Sequence, residues 1–406
     1  MFVAKIWYAS SVLAALVNAA TAARASPLEK RWRDKGHYAN NTALAAYALQ
    51  GFWYNQTTGL WDNAWWNSGN ALTILADWAR LRPLDAESLN ISDVIHNTWS
   101  QAQNVNVFTT KTLMSDGMIK TEDCLNGQGL ACDANAAAIQ SRAFRDFLND
   151  FYDDEGWWAL GLIHAYDYTH RQEYLDSAVR IFNDMQGGGN TTCNGGIYWS
   201  KERKYVNAIA NELYLSVAAS LANRIPNDKA KYTGIAQGQW RWFGNSSMIN
   251  SDNLINDGLD GQCKNNGQKT WTYNQGVVLG GLVELYKATG NRDYLNRANS
   301  LASASMKKLV NSDGLLVEGC EDNGDHCGAD GAQFKGVYAR NLRYLNEVSP
   351  STDIKKFLTC NADSIWDKDR DGNNRLGVAW AGPLYSPIGN AHSSAMDALV
   401  GAVAVV

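Results

Sequence analysis

A repeated unit of two helices runs through the second half of the chain and constrains its fold more than any other feature. Each copy has an opening segment rich in aromatic or amide side chains, a helix, a short turn, a second helix and a Gly-rich loop. One copy covers residues 156–199 and another covers residues 274–316. Their second helices share the dipeptide Tyr-Leu, followed by an Ala. Such self-similarity is typical of arrays of helical pairs.

The first helices of the repeat are rich in small residues and apolar on more than one face, as expected for buried inner helices. They are predicted at residues 64–80, 156–168, 208–223, 274–286, 332–345 and 393–403. Second helices such as residues 174–185 are amphipathic, as expected for outer partners. Six inner helices with outer partners predict an all-α fold, an (α/α)6 barrel formed as a closed toroid of six helical hairpins. An open solenoid or an ordinary bundle is the alternative.

Composition limits the classes of function. Hydrophobic residues make up 45% of the chain, which is enough for a sizeable core. The net charge is −5, and no basic run occurs, so we expect no nucleic-acid partner. The chain has 16 Trp and only 10 Phe. This excess indicates flat aromatic surface with hydrogen-bonding capacity, which sugar rings are able to use.

The N-terminus has the pattern of an exported protein. Residues 1–25 contain Lys5, an apolar stretch and Ala23-Arg24-Ala25, and they predict a signal peptide. Residues 26–31 end in Lys30-Arg31 and form a possible pro-segment, whose removal the sequence leaves open. Residues 32–406 contain no linker and are expected to form a single domain. Export agrees with five N-x-S/T sequons, at Asn40, Asn55, Asn90, Asn190 and Asn245.

Seven cysteines in an exported chain leave one without a partner. Cys124 and Cys132 flank a Gly-rich loop, as do Cys320 and Cys327, so two local disulfides are expected. Cys193 and Cys263 would then pair across the fold, and Cys360 would be a buried thiol. No C-x-x-C or H-E-x-x-H motif occurs, and we expect neither a metal nor a cofactor.

An acidic segment between two aromatic pairs is the sharpest local motif. Asp150, Asp153, Asp154 and Glu155 lie within six residues at the start of a predicted inner helix. Helix capping accounts for one or two of these acids, but it does not require an Asp-Asp doublet. Because neighbours in a regular helix diverge by about 100°, we expect the doublet where the backbone changes direction at the helix start.

Two carboxyl groups held close together suit one kind of chemistry in particular. At a separation of ~5 Å they repel by roughly 3 kcal/mol at an effective dielectric constant near 20. This repulsion keeps one of them protonated near neutral pH. A proton donor beside a charged carboxylate is what cleavage of a glycosidic bond requires.

The segment Tyr152 to Trp158 resembles the signature of glycoside hydrolase family 76, the endo-α-1,6-mannanases and their fungal cell-wall relatives. The resemblance extends over residues 40–403 and includes residues 65–70, 207–212 and 272–276. It implies an (α/α)6 barrel in which Asp153 is the nucleophile and Asp154 the general acid/base of a retaining mechanism. Many fungal relatives carry a glycolipid-anchor signal. The nine-residue apolar end of this chain is not expected to be one, so we expect a secreted protein, extracellular or associated with the cell wall.

Around the doublet we expect a sugar cleft, formed where the N-terminal ends of the inner helices converge on one face. Trp65, Trp158, Glu212, Gln275 and Phe334 are each expected on an inner helix. The predicted stacking residues are Trp65, Trp66, Tyr273 and Trp380, with core packing as the alternative for each Trp. The predicted hydrogen-bonding residues are Asn67, Asn70, Asn211, Asn274 and Gln275.

Several charged residues are more ambiguous. Glu212 and Asp257 are expected to bind sugar hydroxyls or to make structural pairs. His392 could reach the cleft from the last inner helix. Lys335 and Arg340 are expected on the surface or as caps of carbonyl groups.

The sequence therefore predicts a secreted, monomeric, retaining endo-α-1,6-mannanase with no stable protein partner. Its substrate would be α-1,6-linked mannan or mannosylated glycans. A cell-wall transglycosidase with the same acid pair is one alternative, and a non-catalytic carbohydrate-binding toroid is another. An inverting glycosidase on the same barrel would need carboxyl groups ~6.5–9.5 Å apart.

Overall fold

The computed structural model describes residues 33–113, 118–129, 132, 144–321 and 327–406. The predicted signal peptide and the Lys30-Arg31 pair lie outside the described residues. Residues Lys35–Val406 form one compact unit. None of the helices among the described residues is both long and apolar enough to cross a membrane.

Thirteen α-helices occur among the described residues, and six of them form an inner ring. The inner helices are α2 (Trp65–Leu81), α5 (Tyr152–Thr169), α7 (Ala208–Arg224), α9 (Thr272–Thr289), α11 (Gly328–Val348) and α13 (Gly389–Val405). Each inner helix packs against the next one, and α13 packs back against α2. This closure confirms the (α/α)6 barrel and excludes the open solenoid.

Outer helices cover the ring. They are α1 (Lys35–Trp53), α4 (Ile91–Ala102), α6 (Gln172–Met185), α8 (Lys229–Asn245), α10 (Arg292–Lys308) and α12 (Thr352–Lys368), with the short α3 (Pro83–Ser88) before α4. Sequence analysis placed segments of α6 and α10 but gave no bounds for the other outer helices. The expected placement of Trp65, Trp158, Glu212, Gln275 and Phe334 on five inner helices is confirmed.

Small residues allow the inner helices to pack closely on all sides. In α7 only Tyr214, Asn223 and Arg224 are not buried. A Cβ atom on Gly276 of α9 would lie 2.7 Å from the Cα atom of Tyr338 in α11. A Cβ atom on Gly336 of α11 would lie 2.4 Å from the backbone of Ser394 in α13. Glycine is therefore required at these two helix crossings.

Most of the inner helices begin earlier than predicted. The helix expected from residue 156 begins at Tyr152, the one expected from residue 332 begins at Gly328, and the one expected from residue 393 begins at Gly389. Their first turns contain acids, amides or glycines in place of core residues. The periodic apolar pattern therefore starts about one turn after each of these helices does.

The described residues also include two β-hairpins that sequence analysis did not predict. A short one pairs β1 (Tyr54–Asn55) with β2 (Leu60–Trp61), and a longer one pairs β3 (Val107–Leu113) with β4 (Ile119–Leu125). The longer hairpin lies between α4 and α5 in the chain. Asp123 of β4 accepts a hydrogen bond from the backbone N–H of Trp65, which fixes the hairpin to the start of α2.

Three disulfide bonds join the pairs expected from the sequence. Their Cα–Cα distances are 5.0 Å for Cys124–Cys132, 5.4 Å for Cys193–Cys263 and 4.9 Å for Cys320–Cys327. The Cys124–Cys132 bond ties β4 of the longer hairpin to Cys132. Cys360 is not in a disulfide and is half-buried, whereas a buried position was expected.

A recurring contact aligns five inner helices with the loops before them. In each helix the side chain of the fourth residue after the N-cap accepts a hydrogen bond from a loop backbone N–H. These clamp residues are Ser68, Glu155, Asn211, Gln275 and His392. The donor–acceptor distances run from 2.7 Å at Asn211 to 3.3 Å at Glu155. The clamp residues satisfy buried backbone groups at the top of the ring.

Candidate active site

The N-terminal ends of five inner helices line one open cavity. The ring contributes Trp66, Asp153, Trp157, Asn207, Tyr273, Asp330 and Phe334. The longer hairpin contributes Lys111 and Ile119, and loops contribute Trp199, Tyr205 and Asp257. The predicted convergence of inner-helix N-termini on one face is confirmed.

The Asp153–Asp154 doublet lies in the first turn of α5, one turn deeper in the helix than the sequence suggested. Phe151 is the N-cap, so both aspartates already have helical backbone. Both carboxyl groups contact Lys111, whose Nζ lies 3.2 Å from Asp153 Oδ2 and 2.6 Å from Asp154 Oδ1. These two oxygens are therefore at most about 5.8 Å apart, the sum of the two distances.

The two aspartates have different surroundings. Asp153 lines the cavity, and its Oδ1 has no hydrogen-bond partner among the described residues. Asp154 is only 1% exposed, and its Oδ2 accepts a hydrogen bond of 2.6 Å from the Asn149 side chain. Burial raises the pKa of Asp154 to about 8, with a further contribution from Asp153 and against the lowering effect of Lys111. Asp154 is thus suited to hold a proton, and Asp153 is open to the cavity.

Lys111 is held as a cation inside the site. Its side chain is 4% exposed, and its Nζ lies 4.7 Å from the centre of the Phe151 ring and 5.5 Å from that of Trp199. Burial alone would lower the pKa of Lys111, but Asp153 and Asp154 raise it above its usual value.

Two further carboxyl groups lie near this lysine. Asp330 of α11 accepts a hydrogen bond of 2.8 Å from the Trp66 indole N–H, while its Oδ2 has no hydrogen-bond partner among the described residues. Burial raises the pKa of Asp330, against lowering contributions from Lys111, Thr121 and Trp66. Burial also raises the pKa of Asp123 to about 6. The cavity therefore has more carboxyl groups than cations beside it.

The third acid of the motif faces away from the doublet. Glu155 Oε1 lies 2.8 Å from Lys201 Nζ and accepts the backbone N–H of Asn149. Lys201 also lies 2.9 Å from Asp184. Glu155 is therefore a clamp residue that holds the preceding loop, while Asp153 and Asp154 have no such backbone partner among the described residues.

Asp257 joins the site from the loop before α9. Its Oδ2 accepts a hydrogen bond of 2.5 Å from Tyr205, whose hydroxyl also accepts one from Asn266. Burial raises the pKa of Asp257. A second, solvent-open space shares Ile119, Trp199, Tyr205 and Asp257 with the first. The two spaces therefore adjoin each other.

Four aromatic side chains of the inner helices line the cavity in two neighbouring pairs. Trp66 and Trp157 are stacked with ring centres 5.7 Å apart, and Tyr273 and Phe334 are stacked at 3.9 Å. Two predicted stacking residues lie elsewhere. Trp65 is fully buried against Trp158, and Trp380 is 1% exposed with Lys335 Nζ over its ring.

Most predicted hydrogen-bonding residues do not line the cavity. Asn70 accepts a hydrogen bond from Arg340, and Asn211 and Gln275 are clamp residues held by loop backbone. The Nδ2 of Asn67, both polar atoms of Asn274 and both carboxyl oxygens of Glu212 are buried without hydrogen-bond partners among the described residues. Burial raises the pKa of Glu212 well above its usual value. Of the predicted binding residues, Trp66 and Tyr273 line the cavity.

The expectations for three charged or ionisable residues have different outcomes. Lys335 is buried and not on the surface, but its Nζ donates to the Val378 carbonyl, which is the alternative expected for it, and it also contacts Glu321. Arg340 is buried and pairs with Asp397, which was not expected. His392 does not reach the cleft, because its ring is a clamp between the Leu376 N–H and the Ala45 carbonyl.

Lys111, Asn149 and Asp330 were not predicted at all. No sequence pattern marks Lys111, which lies in a Thr-rich strand far from the doublet. Asn149 was detectable, because it immediately precedes the acidic segment. The clamp residues share a fixed distance from the N-cap, and this spacing would have separated Asn211 and Gln275 from sugar-binding candidates.

Comparison with known proteins gives a consistent result. Residues 31–403 match the model of glycosyl hydrolase family 76. The mannan endo-1,6-alpha-mannosidase DFG5 of Candida albicans is 24% identical over 370 residues, which are 84% of this chain and 74% of that protein.

Solved structures share the fold. An α-1,6-mannanase of Salegentibacter sp. aligns with a TM-score of 0.70 at 17% identity, over 92% of this chain and 100% of that one. That structure is an inactive variant with two consecutive aspartates replaced by alanine, in complex with an α-1,6-linked mannotetraose. The Dfg5 protein of Chaetomium thermophilum, in complex with glucosamine, aligns with a TM-score of 0.70 at 18% identity, over 92% of this chain and 90% of that one.

Proposed function

The chain belongs to glycosyl hydrolase family 76, and we propose that within this family it is a secreted endo-α-1,6-mannanase that cleaves the backbone of mannan with retention of configuration. The observation that carries the proposal is the pair Asp153 and Asp154 bridged by Lys111. Their bridged oxygens are at most about 5.8 Å apart. Retaining enzymes hold the two carboxyl groups about 5–5.5 Å apart, whereas inverting enzymes need about 6.5–9.5 Å.

A solved relative supports the importance of such a pair. The α-1,6-mannanase of Salegentibacter is inactive when two consecutive aspartates are replaced, and that variant holds an α-1,6-linked mannotetraose. Asp153 and Asp154 are consecutive and lie beside the cavity in this chain. We therefore assign the chemistry to them and the same linkage to the substrate.

In the first step Asp153 attacks the anomeric carbon, because Asp153 lines the cavity and its Oδ1 has no hydrogen-bond partner among the described residues. A bond forms between this oxygen and the anomeric carbon, and the bond from that carbon to the glycosidic oxygen breaks. Asp154 gives its proton to the departing oxygen, consistent with its raised pKa of about 8. The product is a mannosyl ester on Asp153 and a shortened chain with a free hydroxyl group.

In the second step Asp154, now ionised, takes a proton from a water molecule. The water oxygen attacks the anomeric carbon from the face that the leaving group vacated, and the ester bond to Asp153 breaks. Two inversions give net retention. Both carboxyl groups return to their starting protonation states.

The shape of the cleft suits a chain cut at an internal bond. The stacked pairs Trp66–Trp157 and Tyr273–Phe334 offer flat surfaces for sugar rings. The adjoining space beyond Tyr205 and Asp257 gives room for further mannosyl units. We therefore expect cleavage within the backbone and the release of oligosaccharides.

The test is incubation of the protein with linear α-1,6-mannan and, separately, with other polysaccharides. Oligosaccharide release from α-1,6-mannan alone, with the new reducing ends first seen as the α-anomer by NMR, supports the proposal. Failure to release any product contradicts it. Release of the β-anomer would favour an inverting mechanism.

Transglycosidase activity is the second candidate function, because the adjoining space lined by Tyr205 and Asp257 offers room for an acceptor sugar. An acceptor hydroxyl would replace water in the second step. Product analysis with and without added acceptor oligosaccharide distinguishes the two activities. Elongated products in the presence of the acceptor would favour transfer over hydrolysis.

Secretion is the remaining part of the proposal. Three disulfide bonds support folding in an oxidising compartment. The sequon residues Asn40, Asn90, Asn190 and Asn245 are exposed, and Asn55 is half-buried. Mass analysis of the protein from culture medium should find an N-terminus at Ser26 or Trp32 and glycans on these asparagines. Retention of the full chain inside the cell contradicts secretion.

A further inference from the structure

Lys111 lies between the two carboxyl groups that both have to contact the substrate. In the proposed mechanism Asp153 approaches the anomeric carbon while Asp154 contacts the glycosidic oxygen, and these two substrate atoms are bonded to each other. The scissile bond must therefore fit between the two carboxyl groups. In the structure Lys111 Nζ lies between the two carboxyl groups, 3.2 Å from Asp153 Oδ2 and 2.6 Å from Asp154 Oδ1, and leaves Asp153 Oδ1 without a partner among the described residues.

The hydrogen bonds of Asp154 show which of its oxygens faces the substrate. Its Oδ2 is held by Asn149, which is fully buried and fixed in turn by the Phe151 backbone N–H. Its Oδ1 is held by Lys111, which lines the cavity. A proton bound for the leaving group has to depart from Oδ1, the oxygen that the lysine occupies.

We propose that Lys111 Nζ marks the position of the glycosidic oxygen, and that Lys111 withdraws from Asp154 when the substrate binds. This inference rests on the retaining mechanism proposed above. Lys111 is then a positioning residue, which holds the carboxyl pair together in the free enzyme and leaves it for the chemical steps.

The cavity contains a second partner for the displaced ammonium group. Asp330 lines the same cavity, and its Oδ2 has no hydrogen-bond partner among the described residues. Asp330 is close enough to Lys111 to contribute to the raised pKa of the lysine. Lys111 can therefore exchange the doublet for Asp330 without losing an ionic partner, and its charge stays buried and neutralised.

The exchange has a direct effect on the proton of Asp154. The charged groups that face Lys111 are Asp153 and Asp154 on α5, Asp330 on α11 and Asp123 on β4. Contact with Lys111 favours the ionised form of Asp154, and its withdrawal favours the protonated form. Substrate binding therefore raises the affinity of the general acid for its proton, at the moment when the proton is needed.

The first measurement is the pH dependence of the wild-type enzyme on an α-1,6-mannooligosaccharide. The kcat/KM profile reports the free enzyme, and the kcat profile reports the substrate complex. We expect the alkaline limb of the kcat profile to lie about one pH unit or more above that of kcat/KM. Coincident limbs in an active wild-type enzyme would overturn the inference and leave the proposed function intact.

Two lysine variants then isolate the cause. In Lys111→Met the two alkaline limbs should coincide, because no cation remains to be displaced. Lys201→Met is the matched control, since Lys201 pairs with Glu155 of the same helical turn but does not touch the doublet. The separation of the limbs should persist in this control. The role of Lys111 would be contradicted if the two alkaline limbs stayed separated in Lys111→Met, or if they coincided in both variants.

A third variant tests whether Lys111 moves to Asp330. It gives an answer even if Lys111→Met does not fold. Asp330→Asn keeps an acceptor oxygen for the Trp66 indole but removes the charge. Withdrawal of Lys111 should then be harder, so we expect KM to rise about tenfold and the two limbs to move closer together. An unchanged KM with an unchanged separation would rule out Asp330 as the second partner.

Discussion

At the C-terminal ends of the inner helices, Asp77 contacts Arg343, His164 and Tyr344, whereas at the N-terminal ends Asp153 and Asp154 share the single cation Lys111. Both groups of acids are buried inside the same ring. At the C-terminal end the Asp77 oxygens lie 2.7 Å from His164 and 2.5 Å from the Tyr344 hydroxyl. Asp153 Oδ1 has no partner among the described residues.

The pKa values of the buried acids also differ between the two ends of the ring. Burial alone would raise the pKa of Glu284, but Arg224 and Lys287 lower it to about 2. Arg343 and His164 likewise hold the pKa of Asp77 below its usual range, against the effect of burial. At the other end burial prevails and raises the pKa of Asp154 to about 8. The C-terminal end therefore holds acids whose pKa values are lowered by their partners, and the N-terminal end holds Asp154, which keeps its proton at neutral pH.

The comparison distinguishes buried acids that stabilise the fold from buried acids that are available for chemistry. A paired buried acid resists change, because removing its partner leaves an uncompensated charge. An acid without enough partners costs stability but remains available to a substrate. The ring uses the first arrangement to close its C-terminal end and the second to form its cleft. The predictions below test this division, from the largest expected effect to the smallest.

The largest effect is expected for Asp153→Asn. The amide cannot form the mannosyl ester, so kcat on linear α-1,6-mannan should fall by about 10⁴-fold or more. The midpoint of thermal unfolding should not fall, because the change removes a buried charge. Release of reducing ends and calorimetry measure the two quantities. Full activity would refute the role of Asp153 and make Asp150 the next acid to test.

Asp154→Asn should reduce mannan cleavage by about 10²–10⁴-fold, because an alkoxide leaving group needs a proton. An aryl mannoside with a good leaving group should still form the ester in this variant. Added azide needs no general base, so it should restore turnover and give a mannosyl azide of retained configuration. Rescue of Asp153→Asn in place of Asp154→Asn would exchange the two assignments.

At the other end of the ring, Arg343→Met should lower the free energy of unfolding by about 3–5 kcal/mol, because Asp77 loses its main counter-charge. The kcat per folded molecule should stay near the wild-type value. Urea unfolding with activity measured on the same samples checks both. Arg80→Met is the control, since its side chain is 49% exposed and its pairing at 3.8 Å should contribute less than about 1 kcal/mol. Equal losses in the two variants would contradict the comparison.

The smallest effect concerns stability and pH. Because the pKa of Asp154 is raised to about 8 in the folded chain, its protonated form stabilises the fold at low pH. This contribution is lost as the pH rises from the unfolded value near 4 towards 8. Asp154→Asn should therefore unfold at a temperature higher than wild type by on the order of a few degrees near pH 8, and the difference should vanish near pH 4. A difference that is constant with pH would contradict this expectation.

Sequence reasoning succeeded where the local pattern and the structure have the same cause. Inner helices need small residues and apolar character on all sides, so α7 and α9 could be predicted from the sequence. The doublet could also be recognised, because helix capping does not require two adjacent aspartates between aromatic pairs. The helix starts were placed late, since the polar residues of the first turns interrupt the apolar period.

The binding residues were harder to predict, because an amide near a helix start looks the same whether it binds sugar or backbone. Asn211 and Gln275 contact loops, and Trp65 and Trp380 are buried in the core. Lys111 was missed for a different reason. Its contact with Asp153 joins residues 42 positions apart through a hairpin, and no local pattern encodes that distance.

The site is built from two parts of the chain that can evolve separately, the ring and the hairpin of β3 and β4. The carboxyl pair belongs to the ring, where its position is tied to helix packing and cannot change alone. Lys111 belongs to a segment inserted between two ring hairpins and fastened by the Cys124–Cys132 disulfide and by Asp123. Mutation, insertion or recombination in this segment can alter the counter-charge, and with it the working pH and the choice of acceptor, while the barrel stays the same. Divergence among homologues should therefore be fastest in this segment and slowest in the first turn of α5.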